Sequence, residues 1–558
     1  MIRAFFHRSI PLAAIALLLS LFVADIPARP GHTIEFKDVT GQTGIDFKHA
    51  DGSSGRRYIV EAMSAGLALF DYDQDGDIDI YFVSGGALRA SQYSRPPRNR
   101  LYRNEGNWRF TDVTETSGLG DTGHGMAVTV GDYDNDGDHD VYVTNFGPNA
   151  LYRNNGDSTF TNVTEAAQVA DGSKVGAGAN FLDIDGDGDL DLFSSSYINF
   201  TYDNHVLGKA RGYPAYVGPR VYELTANSLF RNNGDGTFTD ISLASGIANS
   251  LGSGMGTVCA DYDQDGDTDI FVANDNAPDF LFANDGTGVF TECGALAGIA
   301  YDLYGNEMGS MGADCADYDN DGRPDFYFTS YQNQLAHLYR NLGDGFFEDK
   351  TSTSGAGAGT VGNVTWGNGF ADFDNDGDRD LFVAVGHLDD NVAKWDQRTS
   401  YAASNLVLMN TGNGKFVDMS QDCGDGLKVA RSSRGCGLDD LDNDGDIDIV
   451  VLNSRSEPTI LQNDTPSKGH WLQIRLRGTR TNRDGIGACV KVVAEDMSLI
   501  DEVHSGRGYQ SHHGMRLHFG LGNRTKIDRV EVRWIGGKTE IFRNIEIDRM
   551  ITLTEGDS

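Results

Sequence analysis

A nine-residue pattern with Asp at positions 1, 3, 5 and 9 and Gly at position 6 recurs seven times in this 558-residue chain. The copies are DYDQDGDID from Asp71, DYDNDGDHD from Asp132, DIDGDGDLD from Asp183, DYDQDGDTD from Asp261, DYDNDGRPD from Asp317, DFDNDGDRD from Asp372 and DLDNDGDID from Asp440. Carboxylates held about 4 Å apart repel by roughly 4 kcal/mol per pair at an effective dielectric near 20, so such a loop calls for a cation. The candidate metal-site residues are Asp71, Asp73, Asp75, Asp77 and Asp79, then Asp132, Asp134, Asp136, Asp138 and Asp140, then Asp183, Asp185, Asp187, Asp189 and Asp191. The fourth and fifth loops add Asp261, Asp263, Asp265, Asp267 and Asp269, and Asp317, Asp319, Asp321, Arg323 and Asp325. The last two add Asp372, Asp374, Asp376, Asp378 and Asp380, and Asp440, Asp442, Asp444, Asp446 and Asp448. Calcium suits the pattern best, because it takes about six to eight oxygens in flexible geometry and the glycine permits the sharp turn around it. About seven structural Ca2+ sites are expected. Arg323 at position 7 implies that this position offers its backbone carbonyl, leaving the side chain free to vary.

Each loop runs into a short run of branched and aromatic residues, such as IDIYFV, HDVYVT or RDLFVA, which predicts a β-strand. The cation would therefore sit in a strand-turn-strand unit, without the flanking helices of an EF-hand. Successive loops lie roughly 50 to 80 residues apart, the span of a four-stranded blade. Between them recurs a second phrase: LYRNEGNWRFTDVT from Leu101, LYRNNGDSTFTNVT from Leu151, LFRNNGDGTFTDIS from Leu229, LFANDGTGVFTEC from Leu281 and LYRNLGDGFFEDKT from Leu338, with a looser copy from Leu406. FKDVTGQTGI, from Phe36, is its second half alone, and LQND, from Leu461, its first half alone. Joining these ends leaves no open sheet edge. The expected fold is all-β: a closed seven-bladed β-propeller over residues 31–465, its N-terminal strand completing the last blade. Small-residue segments ahead of the loops, such as GHGMAVTVG and GSGMGTVCA, suit innermost strands crowded at the axis. Glu61, His124, Lys174, Glu307, Trp366 and Arg434 precede these segments and should rim one mouth of the channel. They either cap strands and pair with one another or form a pocket.

The net charge of −37 has a local cause: the loops hold 34 Asp, which leaves 82 − 34 = 48 acids against 45 bases. No basic footprint for nucleic acid exists. Residues 1–30 read MIRAFFHRSIPLAAIALLLSLFVADIPARP, with Arg3 and Arg8 ahead of an apolar run from Ile10 to Val23. This is the layout of an export signal, cleaved or kept as an N-terminal anchor, and places the protein in a secreted, periplasmic or cell-surface setting. Of six cysteines, Cys259, Cys293 and Cys315 are expected in the core, Cys423 and Cys436 leave a bridge open, and Cys489 has no evident partner. The final segment, 466–558, alternates in the β period and is mildly basic, with 15 Lys and Arg against 12 Asp and Glu. It predicts a small β-sandwich-like domain that the acidic propeller could attract. His512 and His513 are adjacent and so face opposite ways in an extended strand, which weakens a paired-ligand reading.

The DxDxDGDxD loops with LYRNxGDGTFTDVT resemble FG-GAP/VCBS repeats, which also build the propellers of integrin α-subunits. The segment NRDGIGACVKVVAEDMSLIDEVHSGRGYQSHHGMRLHFGLGN, from Asn482, resembles an ASPIC/UnbV domain, and the pair together resembles the cartilage acidic protein family. The segment from Tyr197 to Ala226 interrupts the third blade, resembles that family's YxGP insertion and is expected to loop over one face. Two functions follow as expectations. One is an exported calcium-binding module that holds a glycan, a surface component or a protein through a propeller face, as the resemblance to integrin-type repeats implies. The alternative is an enzyme of lyase or hydrolase type at the channel mouth, with Glu61 or Glu307 as general acid or base and Arg434 or His124 stabilising developing charge.

Overall fold

A computed structural model describes residues 34–64, 66–466 and 469–558. Residues 1–30, read above as an export signal or anchor, lie outside the described residues. Among the described residues no helix is long and apolar enough to cross a membrane.

Seven antiparallel sheets follow one another, each with four strands as the repeats dictate, the fourth carrying in addition the short strand Met308–Gly309. In blade 1 the innermost strand Leu67–Phe70 enters the aspartate loop, Asp79–Phe82 leaves it, and Arg100–Asn104 and Phe110–Asp112 form the outer hairpin from the LYRN phrase. Blades 2 to 6 repeat this order, their innermost strands being His124–Gly131, Gly176–Leu182, Gly254–Ala260, Ala313–Ala316 and Thr365–Ala371. Blade 7 combines Ser433–Asp439, Asp448–Asn453 and Thr459–Asn463 with Phe36–Asp38 from the N-terminal end. The closing register, Phe36↔Asn463 to Asp38↔Leu461, joins the two half-phrases.

Apolar side chains on the blade faces form cores between neighbours that run round the ring. Leu67 and Ile80 pack with Val450 and Leu452 between blades 7 and 1, and Val83 packs with Val128 and Val141 between blades 1 and 2. Ile184 packs with Ile270 and Phe282, Phe271 with Phe326, Tyr318 with Leu408, and Phe382 with Val451. Because the chain alternates direction, all seven aspartate loops lie at one end of the barrel of blades. The Tyr197–Ala226 insertion and the Tyr301–Glu307 and Tyr331–Gln334 loops lie at the other.

The C-terminal region forms two sheets sharing one core. His470–Arg477 pairs with Leu517–Gly522 and Arg549–Thr554, while Cys489–Ala494 lies between Met497–Glu502 and Arg529–Arg533, with Thr539–Phe542 at the edge. Leu472, Ile474, Val490, Val492, Val530 and Trp534 fill the space between them, and this core continues into Tyr142 and Phe181 of blades 2 and 3. The two regions are one packed body. All six cysteines are free thiols, Cys423 and Cys436 both being buried in the core between blades 6 and 7.

Candidate functional site

In each aspartate loop the position-6 glycine has φ between 86° and 107°, a conformation that side-chain-bearing residues avoid. The position-1 carboxylate accepts the amides of the turn; Asp71 takes those of Asp75 and Gly76, each at 3.1 Å. The position-9 carboxylate accepts the position-2 amide on one oxygen, as Tyr72 N to Asp79 Oδ2 at 3.0 Å. Its other oxygen accepts the amide of the LYRN asparagine, as Asn104 N to Asp79 Oδ1 at 2.7 Å. That asparagine's side chain donates to its own loop and to the preceding blade: Asn104 to Ile78 O and Leu441 O, and Asn341 to Pro324 O and Tyr262 O. Asn154, Asn232, Asn284, Asn410 and Asn463 do the same. The recurrence of Asn at one phase of the phrase was the signal for this staple, and the strand-turn reading passed over it.

Whether these loops fit a hard divalent ion is tested by their orphan oxygens. Oδ1 of the position-3 aspartate is buried without a hydrogen-bond partner in Asp73, Asp134, Asp185, Asp319 and Asp442. Carboxylate oxygens of positions 1, 3 and 9 lie within 4.8 Å of one another in loops 1, 3 and 5, as do those of positions 1, 3 and 5 in loops 2 and 4. Burial pushes the position-9 carboxyls, Asp79 and Asp325 among them, well above the usual carboxylate range, against the pull of the backbone amides. An all-oxygen set with one oxygen left over at the same place in loop after loop fits a cation such as calcium. Position 7 does something else. Its carboxylate accepts from the position-4 side chain of the preceding loop: Gln74 to Asp138, Asn135 to Asp189, Asn320 to Asp378, Asn375 to Asp446 and Asn443 to Asp77. Gln264 reaches Gly322 O instead, where Arg323 replaces the aspartate, and Gly186 has no side chain to offer. Arg323 itself pairs with Asp321.

The C-terminal region sits on this loop face and sends Val503–Gly514 up the axis. Around the ring, His512 N donates to Leu67 O at 2.9 Å and Val128 N to Gln510 O at 3.2 Å. Asn180 Nδ2 donates to Ser505 O at 2.8 Å and to Gly506 O at 2.6 Å, and His504 Nδ1 lies 2.8 Å from Cys259 O. Gly508 and Ala313 exchange both backbone bonds, at 2.7 and 3.0 Å. Arg507 donates to Phe370 O, and Gly514 abuts Asp439, so all seven blades touch this segment. The small residues of the innermost strands make room for it: a methyl group on Gly66 would overlap the Gln510 carbonyl, and one on Gly256 would meet Gly508 O. His512 and His513 are both fully buried here, and burial pushes both imidazoles down. Electrostatics assist the docking, with Arg533 pairing with Asp261 and Arg516 lying 3.2 Å from Asp439.

At the opposite mouth the six expected rim residues divide. Three meet on the turn Ile59–Ala62: His124 Nε2 lies 3.2 Å from Val60 O, Arg434 Nε donates to Ala62 O at 3.0 Å, and Glu61 belongs to the turn itself. Each is satisfied internally. Glu61 accepts Ser54 Oγ at 2.7 Å and Tyr216 Oη of the insertion at 3.1 Å, and His124 Nδ1 lies 2.9 Å from Gly86 O. Burial lowers the pKa of both His124 and Arg434. The Arg434 guanidinium lies 4.1 Å from the Trp366 ring centre, and Trp366 in turn packs edge-on against Tyr509 of the axial segment. Lys174 turns away to Asp171, 3.0 Å distant. Glu307 is half-exposed and pairs with Arg220 of the insertion at 2.8 Å. Tyr197, Phe200 and Tyr222 of the insertion complete an apolar layer with Tyr58, Met126, Met311 and Trp366 that caps the channel.

Comparison with known proteins agrees with this architecture. Residues 71–143, 132–194, 217–272, 261–328, 317–383 and 372–451 match the FG-GAP-like repeat family, and residues 478–558 match ASPIC and UnbV. Cartilage acidic protein 1 of Homo sapiens is 25% identical over 517 residues, covering 88% of this chain and 72% of its own length. That of Mus musculus is 26% identical over 516 residues, with 88% and 73% covered. Among solved structures, an Agrocybe aegerita lectin that recognises non-reducing terminal N-acetylglucosamine superposes with a TM-score of 0.40 at 19% identity, over 71% of this chain and 87% of that one. The BP39L lectin of Burkholderia pseudomallei gives 0.41 at 10% identity, over 72% and 99%. At these scores their ligands say nothing of this chain. By its repeats and its C-terminal domain, the chain belongs to the FG-GAP-repeat, ASPIC/UnbV family of cartilage-acidic-protein-like proteins.

Proposed function

We propose that this protein is an exported, calcium-binding β-propeller that serves as a binding or adhesion module for a glycan, a surface component or a protein partner. In this reading residues 1–30 direct export, residues 31–465 form the propeller and residues 466–558 the ASPIC/UnbV-like β domain. The aspartate loops hold about seven calcium ions, one within each loop, with the position-1, position-3, position-5 and position-9 carboxylates as principal ligands. The observation that carries the functional reading is the closure of the channel. Its axis is filled from one end by Val503–Gly514 and capped at the other by the insertion. Glu61, His124 and Arg434 are consumed in that packing and Glu307 is paired with Arg220 at the surface, so catalysis at the channel mouth draws no support from the geometry.

The surface left for a ligand is the outside of the cap. Leu207, Tyr213 and Val221 of the insertion are exposed there, as are Leu303 and Tyr304 on a second loop and Tyr331 on a third. Tyr213 also stacks near Trp395. Exposed aromatic and apolar groups set among charged ones mark a recognition surface on a soluble face. Incubating the calcium-loaded protein with a panel of neutral and acidic polysaccharides, and measuring both retention and polymer chain length, tests the reading. Retention of a polymer at unchanged length, weakened by Tyr213→Ala or Tyr304→Ala, is expected. Shortened chains would overturn it in favour of an enzyme.

A further inference from the structure

The strand His470–Arg477 alternates strictly: Leu472, Ile474 and Leu476 enter the C-terminal core, and Gln473, Arg475 and Arg477 take the other face. That face is turned to the aspartate loops, where Gln473 donates to Asp440 Oδ2 at 2.9 Å. Beyond Gln473 the strand runs along a cavity of about 170 Å³ lined by Arg475, Arg477, Arg483, Gln74, Gly137 and Thr552. Arg483 comes from the turn after the strand and lays its guanidinium over Gly137 of the second loop. Thr552 is the register partner of Arg475 on the neighbouring parallel strand. Among the described residues none of these three guanidinium groups has a carboxylate within ion-pair distance or a side-chain hydrogen bond, although the chain carries a net charge of −37. The carboxylate in the cavity wall, Asp484, accepts Asp132 N at 2.7 Å and lies 3.2 Å from His139 Nε2, and it also feels the charge of Arg475 from beyond ion-pair distance. A single water needs roughly 10–15 Å³, so the cavity has room for a polyatomic ion with part of its hydration shell.

We propose that this inter-domain cleft is an oxyanion site, in which Arg475, Arg477 and Arg483 receive a sulfate, phosphate or carboxylate group and the Thr552 hydroxyl supplies a neutral donor. Planar guanidinium forks bind such groups through paired charge-assisted hydrogen bonds. Three of them lining one cavity repel until an anion enters. The site lies on the loop face, at the seam between blades 1 and 2 and the C-terminal domain, far along the axis from the cap. It is therefore independent of the ligand surface proposed above.

Equilibrium dialysis of radiolabelled inorganic sulfate against the calcium-loaded full chain, at fixed ionic strength, tests it. One saturable site per chain is expected. Arg477→Ala and Arg483→Ala should each weaken binding about tenfold or more, while Arg211→Ala, an exposed arginine of the insertion, should leave it unchanged. Unchanged melting temperatures of the variants would show that they fold. Competition by inorganic phosphate or by acetate then separates a tetrahedral oxyanion from a carboxylate as the natural group. Two results would overturn the proposal: no saturable binding of sulfate, phosphate or acetate, or binding that survives in both variants, which would mark an adventitious ion only. Lower stability in the variants with no anion binding by the wild type would equally overturn it, leaving the arginines the role of seating the C-terminal domain on acidic loops.

Discussion

Replacing Arg507 with methionine tests whether the axial segment is seated as described. Arg507 Nε lies 3.0 Å from Asp314 Oδ1, and the Asp314 side chain is 0% exposed. The other oxygen of Asp314 already accepts Phe370 N at 2.7 Å. Burial pushes this carboxyl up and Arg507 draws it back, so removing the cation leaves a buried charge, or forces its protonation. Breaking a buried pair from one side costs about 3–5 kcal/mol, whereas removing both partners costs far less. For a compact unit spanning Thr33–Ser558, an unfolding entropy of about 2 cal/mol/K per residue makes 1 kcal/mol worth roughly 1 °C. Calorimetry of the calcium-loaded protein should therefore show Arg507→Met melting about 3–5 °C below the wild type. The double variant Asp314→Asn, Arg507→Met should recover to within about 2 °C of it. A single variant within 1 °C of the wild type, or a double variant worse than the single, would refute the seating of the plug.

Three further outcomes are expected. Asp73→Asn should lower the calcium count by one in native mass spectrometry, because Asp73 Oδ1 is the orphan oxygen of its loop, whereas Asp77→Asn should keep the count, since that side chain serves Asn443 of blade 7. Gly66→Ala should lower the melting temperature by roughly 1–3 °C, the usual cost of overpacking against a backbone atom that cannot yield, here Gln510 O. Burial opposes ionisation of Glu555, but the amides of Thr479, Arg480 and Thr481 and the Arg480 guanidinium hold its carboxyl at about 2, below the value of about 4.3 in an unfolded chain. Its contribution to stability is therefore complete above about pH 4.3 and lost as pH falls toward 2. Glu555→Gln should flatten that part of an acid-unfolding curve, and an unaltered curve would contradict the assignment.

The ring could be read from the chain because its rules are local. A fixed aspartate spacing, a turn glycine and an alternating strand each depend on neighbours within about ten residues, and the two half-phrases at Phe36 and Leu461 betrayed the closure. What stayed hidden depends on residues hundreds of positions apart. Nothing in VHSGRGYQSHHG announces that it lies in a channel, since its polar groups are matched to Ala313, Asn180 and Leu67, and only the fold brings those together. The small residues of the innermost strands were legible as crowding, but the crowding agent was not. The same distance explains the rim: Glu61 and Arg434 look available along the chain and are occupied once Tyr216 and Trp366 arrive. Position 7 of the loops carries Arg323 in one copy, yet its carboxylates elsewhere join loop to loop, a contact that no single repeat contains.

Calcium content is the most direct test of the account, because the crowded carboxylates and their orphan oxygens call for a cation in each loop. Native mass spectrometry of the protein purified in calcium, before and after chelation, would count the ions, with a melting curve taken on each sample. Seven calcium ions per chain, and a large fall in melting temperature on their removal, are predicted. A protein that holds one or none, or that melts at the same temperature after verified removal, would contradict it.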